Sequence, residues 1–68
     1  MNLNKLRGVL AEKKITQTSL AKAMHLSTKS INAKLNGKVS ITVDEANEIA
    51  KIADIKNPAE IFFADFVA

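Results

Sequence analysis

The chain has 68 residues, of which 47% are hydrophobic, and a formal net charge of +3. This length suits one domain with a small core, and the hydrophobic content excludes a disordered segment. The absence of cysteine excludes a disulfide framework and a cysteine-ligated zinc finger. No apolar run approaches the roughly 18 to 20 residues that span a bilayer, and the N-terminal MNLNKLRGVL is too short and polar for a signal peptide. We expect a soluble cytoplasmic protein with a single domain, residues 1–68.

Charge is distributed unevenly along the chain. Residues 1–40 hold eight lysines and arginines against Glu12 alone, a net charge of +7, whereas residues 41–68 hold two lysines against six acidic residues, a net charge of −4. Such a division favours one face that meets a polyanion and another that is turned away from it. The alternative is a solubilising surface on which the charges are segregated by chance.

Apolar residues recur at intervals of three and four, so the sequence predicts an all-α fold. Leu3, Leu6, Val9 and Leu10 share one side of a first helix over about residues 3–13, and Arg7 and Ala11 fall on the other side. A second, short helix is predicted to follow the N-cap Thr16, with Leu20, Ala21 and Met24 on its inner face.

Ser27 is the predicted N-cap of a third helix, which we expect to end at Asn36-Gly37 because glycine readily adopts the left-handed backbone conformation. On its helical wheel, Thr28, Ile31 and Leu35 fall on the core side. The opposite face carries Lys29, Asn32, Ala33 and Asn36.

Thr42 and Glu45 form a capping-box pattern for a fourth helix over about residues 43–53. Its predicted apolar stripe is Val43, Ala46, Ile49, Ala50 and Ala53. A fifth, short helix is predicted to have Asn57 as its cap and Pro58 as its first helical residue. No repeat or linker appears, so the pattern predicts one compact five-helix domain.

Catalytic residues are difficult to find in this sequence. There is no cysteine and no glycine-rich phosphate loop, and the serines and threonines fall largely at predicted caps. His25, the only histidine, has no obvious partner residue, and the acidic residues lie mostly on outward faces. We therefore expect neither an enzyme nor a metal site, and no cofactor.

Two short capped helices joined by a few residues are typical of a helix-turn-helix, here over about residues 17–36. The stretch TQTSLAKAMHLSTKSINAKLNGK resembles the Cro and lambda-repressor-like family, of the xenobiotic-response-element type. The matching features are Thr16-Gln17, Leu20-Ala21, the Ser27 cap, Ile31 and Asn36-Gly37-Lys38. The segment IFF near the C-terminus is also similar to small regulators of Gram-positive phages and prophages. The resemblance covers most of the chain and implies a lambda-repressor-like DNA-binding domain.

The resemblance implies that the third helix enters the major groove of an operator. Thr28, Lys29, Asn32 and Ala33 would lie nearest the base edges: lysine can donate to guanine, asparagine can bind adenine, and a methyl group can contact thymine. The side chain of Gln17 and the start of its helix would meet a backbone phosphate. Asn36, Lys38 and Ser40 would meet phosphates beyond the other end of the third helix. The alternative for Lys29 and Asn32 is an ordinary solvated helix face.

The chain departs from the family pattern at Leu10 and Leu35, where many members carry an Arg and a Glu that form a buried ion pair. Replacing both charges by leucine leaves no charge stranded, and such replacements are often neutral or stabilising. We therefore expect Leu10 and Leu35 to touch.

One recognition helix contacts only a few base pairs, so we expect a homodimer with half-sites about 34 Å apart. The predicted partner surface comprises Ile52 and, from the C-terminal segment 58–68, Phe62, Phe63, Phe66 and Val67. These side chains exceed what one small core can cover. We expect either Phe62 or Phe63 to close the core and the other, with Phe66, to face a second copy or a different protein.

His25 falls where the second helix ends and where the family turn usually has glycine. Histidine is among the non-glycine residues that adopt the left-handed conformation more often than most. We therefore predict a positive φ at His25 and a structural role in the turn, with Leu26 inserted into the core.

These observations favour a transcriptional regulator of Cro or repressor type that binds a double-stranded DNA operator as a homodimer, in a bacterial cell or phage-infected host. A first alternative is a modulator or antirepressor that binds a repressor protein through its apolar C-terminal surface. A second is the antitoxin of a toxin–antitoxin pair, with DNA-binding activity of its own. No membrane partner is expected.

Overall fold

A computed structural model describes residues 1–63, and all of the regular secondary structure in that range is helical. Five α-helices follow one another, and their bounds are α1 Leu3–Glu12, α2 Gln17–Ala23, α3 Thr28–Leu35, α4 Val43–Ile52 and α5 Ala59–Phe62. The prediction of a compact, five-helix, all-α chain is therefore confirmed for the described residues.

Helix starts follow the predicted capping chemistry. The hydroxyls of Thr16 and Ser27 each accept a hydrogen bond from the backbone N–H three residues later, at 3.0 Å. Thr42 and Glu45 form the complete capping box: Glu45 N–H donates to Thr42 Oγ1 at 3.1 Å, and Thr42 N–H donates to Glu45 Oε1 at 2.9 Å. Each cap satisfies first-turn amides that the helix itself leaves without a partner.

Helices α1 to α4 all end in a residue with positive φ. These residues are Lys14 (59°), His25 (58°), Gly37 (77°) and Asp54 (51°). In each case this residue and the next donate N–H groups to carbonyls of the last helical turn, for example His25 to Lys22 and Leu26 to Ala21. This is the Schellman arrangement, which satisfies carbonyls left open at a helix end. The predicted positive φ at His25 is confirmed.

The core lies where α1, α2, α3 and α4 converge, and α5 closes it against α1. Its buried residues are Leu6, Leu10, Leu20, Ala21, Met24, Ile31, Leu35, Ala46, Ile49, Ala53, Ile61 and Phe62. Ile15, Leu26 and Ile55, which come directly after three of the positive-φ residues, pack against this cluster while partly exposed. The backbone N–H of Asn2 donates to the Ile61 carbonyl at 2.7 Å and fastens the start of α1 to α5.

Three sequence predictions about helix faces are wrong. Thr28 is exposed rather than on the core side, and Val43 is 61% exposed. Both are the first residues of their helices, where the side chain projects beyond the packed turns. Asn57 does not cap α5: the helix is preceded by Pro58, and no side chain caps it.

Candidate nucleic-acid interface

Helix α3 packs against α2 and α1 with one face and presents the other to solvent. Its inner residues Ile31 and Leu35 are 1% and 2% exposed, whereas Lys29 and Asn32 on the outer face are exposed. Ala33 is half-buried at the border of the two faces. The inner face fixes α3 in place, so the outer face is a defined, rigidly held surface of polar side chains.

Three of the predicted contact residues are joined by hydrogen bonds. Asn32 Nδ2 donates to Gln17 Oε1 at 3.1 Å, which links the outer face of α3 to the first residue of α2. Asn36 Nδ2 donates to Asn32 Oδ1 at 3.2 Å and to the Asn32 carbonyl at 2.9 Å. The structure therefore brings Gln17, Asn32 and Asn36 into one group, although the sequence places them in two helices and a cap.

Arg7, the only arginine of the chain, extends this group and was not among the predicted site residues. Its Nη1 donates to the Leu35 carbonyl at 2.6 Å and to Asn36 Oδ1 at 3.4 Å, and its Nη2 bonds to Asn4 Oδ1. A cation at this position also faces the negative end of the α3 dipole. Sequence periodicity placed Arg7 on the solvent side of α1, which is consistent with this contact but does not reveal it.

The remaining predicted contact residues lie around the ends of α3. Thr28 is exposed at its first turn, and Lys38 and Ser40 are exposed beyond its last turn, after Gly37. They do not join the hydrogen-bonded group. They form a second, separate set of exposed polar side chains, of which Lys38 and Ser40 lie along the segment that leads to α4.

Lys34 has a structural partner. Its Nζ donates to Glu45 Oε1 at 3.0 Å and to the Ser40 carbonyl at 3.2 Å, and the two charged side chains are 11% and 20% exposed. The N–H of Thr42, followed by the Lys34 ammonium, lowers the pKa of Glu45 against an opposing effect of burial. Lys34 therefore ties α3 to α4.

The electrostatic character of α2 and α3 differs from that of α4. No Asp or Glu occurs between Glu12 and Asp44, a stretch that contains both short helices and the lysines at 13, 14, 22, 29, 34 and 38. The first turns of α2 and α3 contain no acidic residue, whereas the first turn of α4 contains Asp44 and Glu45. The positive ends of α2 and α3 are thus left without a negative side chain, and the surrounding charge is of one sign.

The predicted partner surface is only partly described. Phe62 is 3% exposed, so it is the phenylalanine that closes the core and not a partner contact. Ile52 and Phe63 are half-buried against the core. Phe66 and Val67 lie outside the described residues. The large hydrophobic side chains that are exposed within residues 1–63 are Met1, Val39 and Val43.

Leu10 and Leu35 are both buried, and they border the same small cavity next to Arg7 and Gln17. Their placement agrees with the expectation that two leucines occupy the position of a charged pair. The contact itself stays a prediction.

Within residues 1–63, no group of three or more His, Asp and Glu side chains could hold a metal ion. No helix in that range has the length and hydrophobicity needed to cross a bilayer.

Comparison with known proteins gives one family and one partial relative. A family model described as "Protein of unknown function (DUF739)" matches residues 1–65. The chain is 32% identical over 56 residues to a Glutamyl-tRNA(Gln) amidotransferase subunit from Chelativorans sp. (strain BNC1). That match covers 82% of this chain but 11% of the longer protein. Because most of that protein has no counterpart here, the match carries no activity over to this chain. No solved structure matches.

Proposed function

This chain belongs to the family described as "Protein of unknown function (DUF739)", and for this member we propose sequence-specific DNA binding, as a transcriptional regulator of Cro or repressor type. The protein binds a double-stranded operator as a homodimer and uses neither a cofactor nor catalysis. The observation that carries the proposal is α3: a helix with a buried inner face, an exposed polar outer face and no neighbouring acidic residue in the segment from residue 13 to residue 43.

The dimensions of α3 suit the major groove. A helix with its side chains is about 10 to 12 Å across, and the major groove of B-DNA is about 12 Å wide. Lys29 and Asn32 project from the exposed face, with donors for guanine and donor–acceptor pairs for adenine. In this proposal α2, α3 and the connection 24–27 are a helix-turn-helix, and the positive φ of His25 sets the angle between the two helices.

Charge supports the same face. Phosphate contacts supply much of the affinity of DNA-binding proteins, and they require cations close to the backbone. Lys38 and Ser40 are exposed past the end of α3, and Gln17 lies at the start of α2. In the proposed complex these side chains meet phosphates on either side of the base-contacting helix. The acidic α4 lies away from DNA.

Pairing of two copies follows from the size of α3. Eight helical residues extend about 12 Å, which is enough for three or four base pairs. Twofold pairing doubles the site and places the half-sites about 34 Å apart. In this proposal the partner surface comprises Ile52 and Phe63, which are half-buried, and the adjoining Phe66 and Val67, which lie outside the described residues.

Selection from a random pool of double-stranded DNA tests the proposal directly, because it reports both whether the protein binds and what it binds. Affinity for the selected site is then measured against salt, and it should fall steeply as salt rises. Lys29→Ala should weaken binding by about 1 to 3 kcal/mol and relax the preference at one base position. Lys51→Ala, an exposed lysine in α4, is the matched control and should change little.

Absence of any selected sequence, with a folded protein at low salt, contradicts the proposal. If the same protein then forms a stable complex with a repressor, it is the modulator or antirepressor of the first alternative. Equal losses for Lys29→Ala and Lys51→Ala would mean that the protein has a general affinity for polyanions without a specific DNA-binding face.

A further inference from the structure

Five polar side chains form a continuous hydrogen-bonded path from α1 across the end of α3 to α2. In order, they are Asn4, Arg7, Asn36, Asn32 and Gln17. Arg7 is the only charged member. It is half-buried, and it also holds the Leu35 carbonyl at 2.6 Å, the shortest of its bonds to α3. The path therefore has a fixed starting point in the guanidinium.

A guanidinium has donors and no acceptor, and it keeps its proton in proteins. Asn36 must therefore turn its oxygen toward Arg7, which leaves its Nδ2 to donate to Asn32. Asn32 in turn receives at Oδ1 and donates from Nδ2 to Gln17 Oε1. A reversed Asn36 amide would set two donors against each other at Arg7 and two acceptors against each other at Asn32.

We propose that Arg7 is a positioning residue for DNA recognition, because it sets the direction of the amides of Asn36, Asn32 and Gln17 without contacting DNA. This inference rests on the proposed function. The direction leaves the Gln17 amide nitrogen as the free end of the path, and this nitrogen has no acceptor within residues 1–63. Phosphate oxygens accept hydrogen bonds and do not donate them, so Gln17 presents the group that a phosphate needs.

The same direction defines what Asn32 can offer a base. One of its two N–H groups and one oxygen lone pair are already engaged by Gln17 and Asn36. Asparagine has two of each, so one donor and one acceptor remain, which is the pair that adenine binds. Loss of Arg7 releases both amides to rotate, and a fraction of molecules then presents the wrong atom to the DNA.

The free protein gives the first test. Side-chain amide resonances of Gln17, Asn32 and Asn36 are recorded by NMR in wild type, Arg7→Met, Arg7→Lys and the control Lys51→Met. In Arg7→Met the Asn32 and Asn36 amides should shift, and their exchange with water should rise about two- to tenfold, the range of one neutral hydrogen bond. Arg7→Lys, which still has donors only, should stay close to wild type. Unchanged amides in a folded Arg7→Met variant overturn the proposal.

DNA binding gives the second test, on the selected operator over a range of salt. Arg7→Met should weaken binding about two- to tenfold and relax the preference at the base contacted by Asn32, with an unchanged salt dependence. In a Gln17→Ala, Asn32→Ala background, Arg7→Met should cause no further loss. A salt slope reduced by about one unit instead identifies Arg7 as a phosphate contact and overturns the positioning role.

The two experiments fail separately. If the wild type binds no DNA, the proposed function and the role of Arg7 in recognition fall together, while the NMR comparison still decides whether Arg7 directs the amides. If DNA binds but the amides do not respond to Arg7→Met, the proposed function stands and this inference fails.

Discussion

Helices α3 and α4 use the same hydrophobic core but begin in opposite electrostatic settings. Each buries aliphatic residues beneath it, Ile31 in α3 and Ile49 in α4, both 1% exposed. Each is capped by a hydroxyl. Yet α4 adds Asp44 and Glu45 to its first turn, and α3 adds no acidic residue. Acidic residues at that position stabilise a helix by about 0.3 to 1 kcal/mol each, so α3 lacks a stabilisation that α4 uses.

The difference separates what folding requires from what the surface of α3 is for. Burial and capping are enough to form both helices, and they are equivalent in the two. The missing carboxylates at α3 lower its stability slightly and keep its exposed end attractive to anions. This is the pattern expected when a helix start faces phosphate, and it is consistent with the proposed function.

The largest expected effect tests whether the two inner faces are equivalent. Ile31→Ala and Ile49→Ala should each lower the free energy of unfolding by about 2 to 5 kcal/mol, because each leaves a cavity in one shared core. Chemical denaturation measures both. Val43→Ala, at an exposed site of α4, should cost little. If a variant is unfolded, Ile→Val at the same positions should cost about 0.5 to 1.5 kcal/mol. A much smaller loss at one position would mean that the helices do not share the core equally.

The next effect concerns the ion pair that joins the two helices. Glu45→Gln should lower stability at pH 7 by about 1 to 2 kcal/mol, between the values for exposed and buried pairs. The pKa of Glu45 is lowered from its ordinary value of 4.5 by the Thr42 N–H and Lys34. The carboxylate therefore stabilises the fold above pH 4.5, and this contribution disappears as the pH falls through the lowered pKa.

Denaturation at several pH values should thus show wild type and Glu45→Gln converging in acid. The matched control is Glu60→Gln, whose pair with Lys5 is well exposed and should contribute little at any pH. A constant difference between wild type and Glu45→Gln across the pH range would contradict the assigned role of the charge.

A smaller effect reverses the contrast between the helix starts. Ser27→Asp keeps the cap and adds a negative charge to α3, so thermal stability should rise by about 0.3 to 1 kcal/mol. Affinity for the selected DNA should fall at the same time, because the new charge faces phosphate. Thr42→Asp makes the same change in α4 and should leave DNA affinity unchanged. Equal effects of both substitutions on DNA would break the comparison.

The smallest effect lies at the corner between α2 and α3. His25→Gly should raise the free energy of unfolding by up to about 1 kcal/mol, because a side chain at positive φ is strained and glycine is not, while glycine gains more entropy on unfolding. Asp54→Gly tests the same balance at the end of α4. Thermal denaturation measures both, and a clear loss at His25 would show that its side chain has a stabilising contact.

Features set by neighbours in sequence were predictable, and features set by distant neighbours were not. The caps at Thr16, Ser27 and Thr42 and the left-handed corners at His25 and Gly37 depend on a few adjacent residues, and the structure confirms them. The errors at Thr28 and Val43 arose because helical periodicity does not show how far a neighbouring element extends over a first turn.

The candidate site divides along the same line. Periodicity predicted that Lys29 and Asn32 are exposed, because it separates the two faces of one helix. It could not give the bonds of Arg7 to Leu35 and Asn36, or of Gln17 to Asn32, since these depend on how α1, α2 and α3 are arranged. Arginine on the polar side of a core helix is a weak signal, and only the packed structure shows its partner.

The corner after α3 differs from the other three in the side chain next to its positive-φ residue. Ile15, Leu26 and Ile55 anchor the ends of α1, α2 and α4 in the core, whereas the corresponding residue after α3 is the exposed Lys38. The Lys38 N–H donates to the Ala33 carbonyl at 2.9 Å, a bond as short as its counterparts at Leu26 and Ile55. Its lifetime should nevertheless be shorter, because local opening there exposes no apolar side chain. The last turn of α3 can therefore unwind and re-form on its own, which gives the helix room to adjust its end to a bound surface while its core contacts persist.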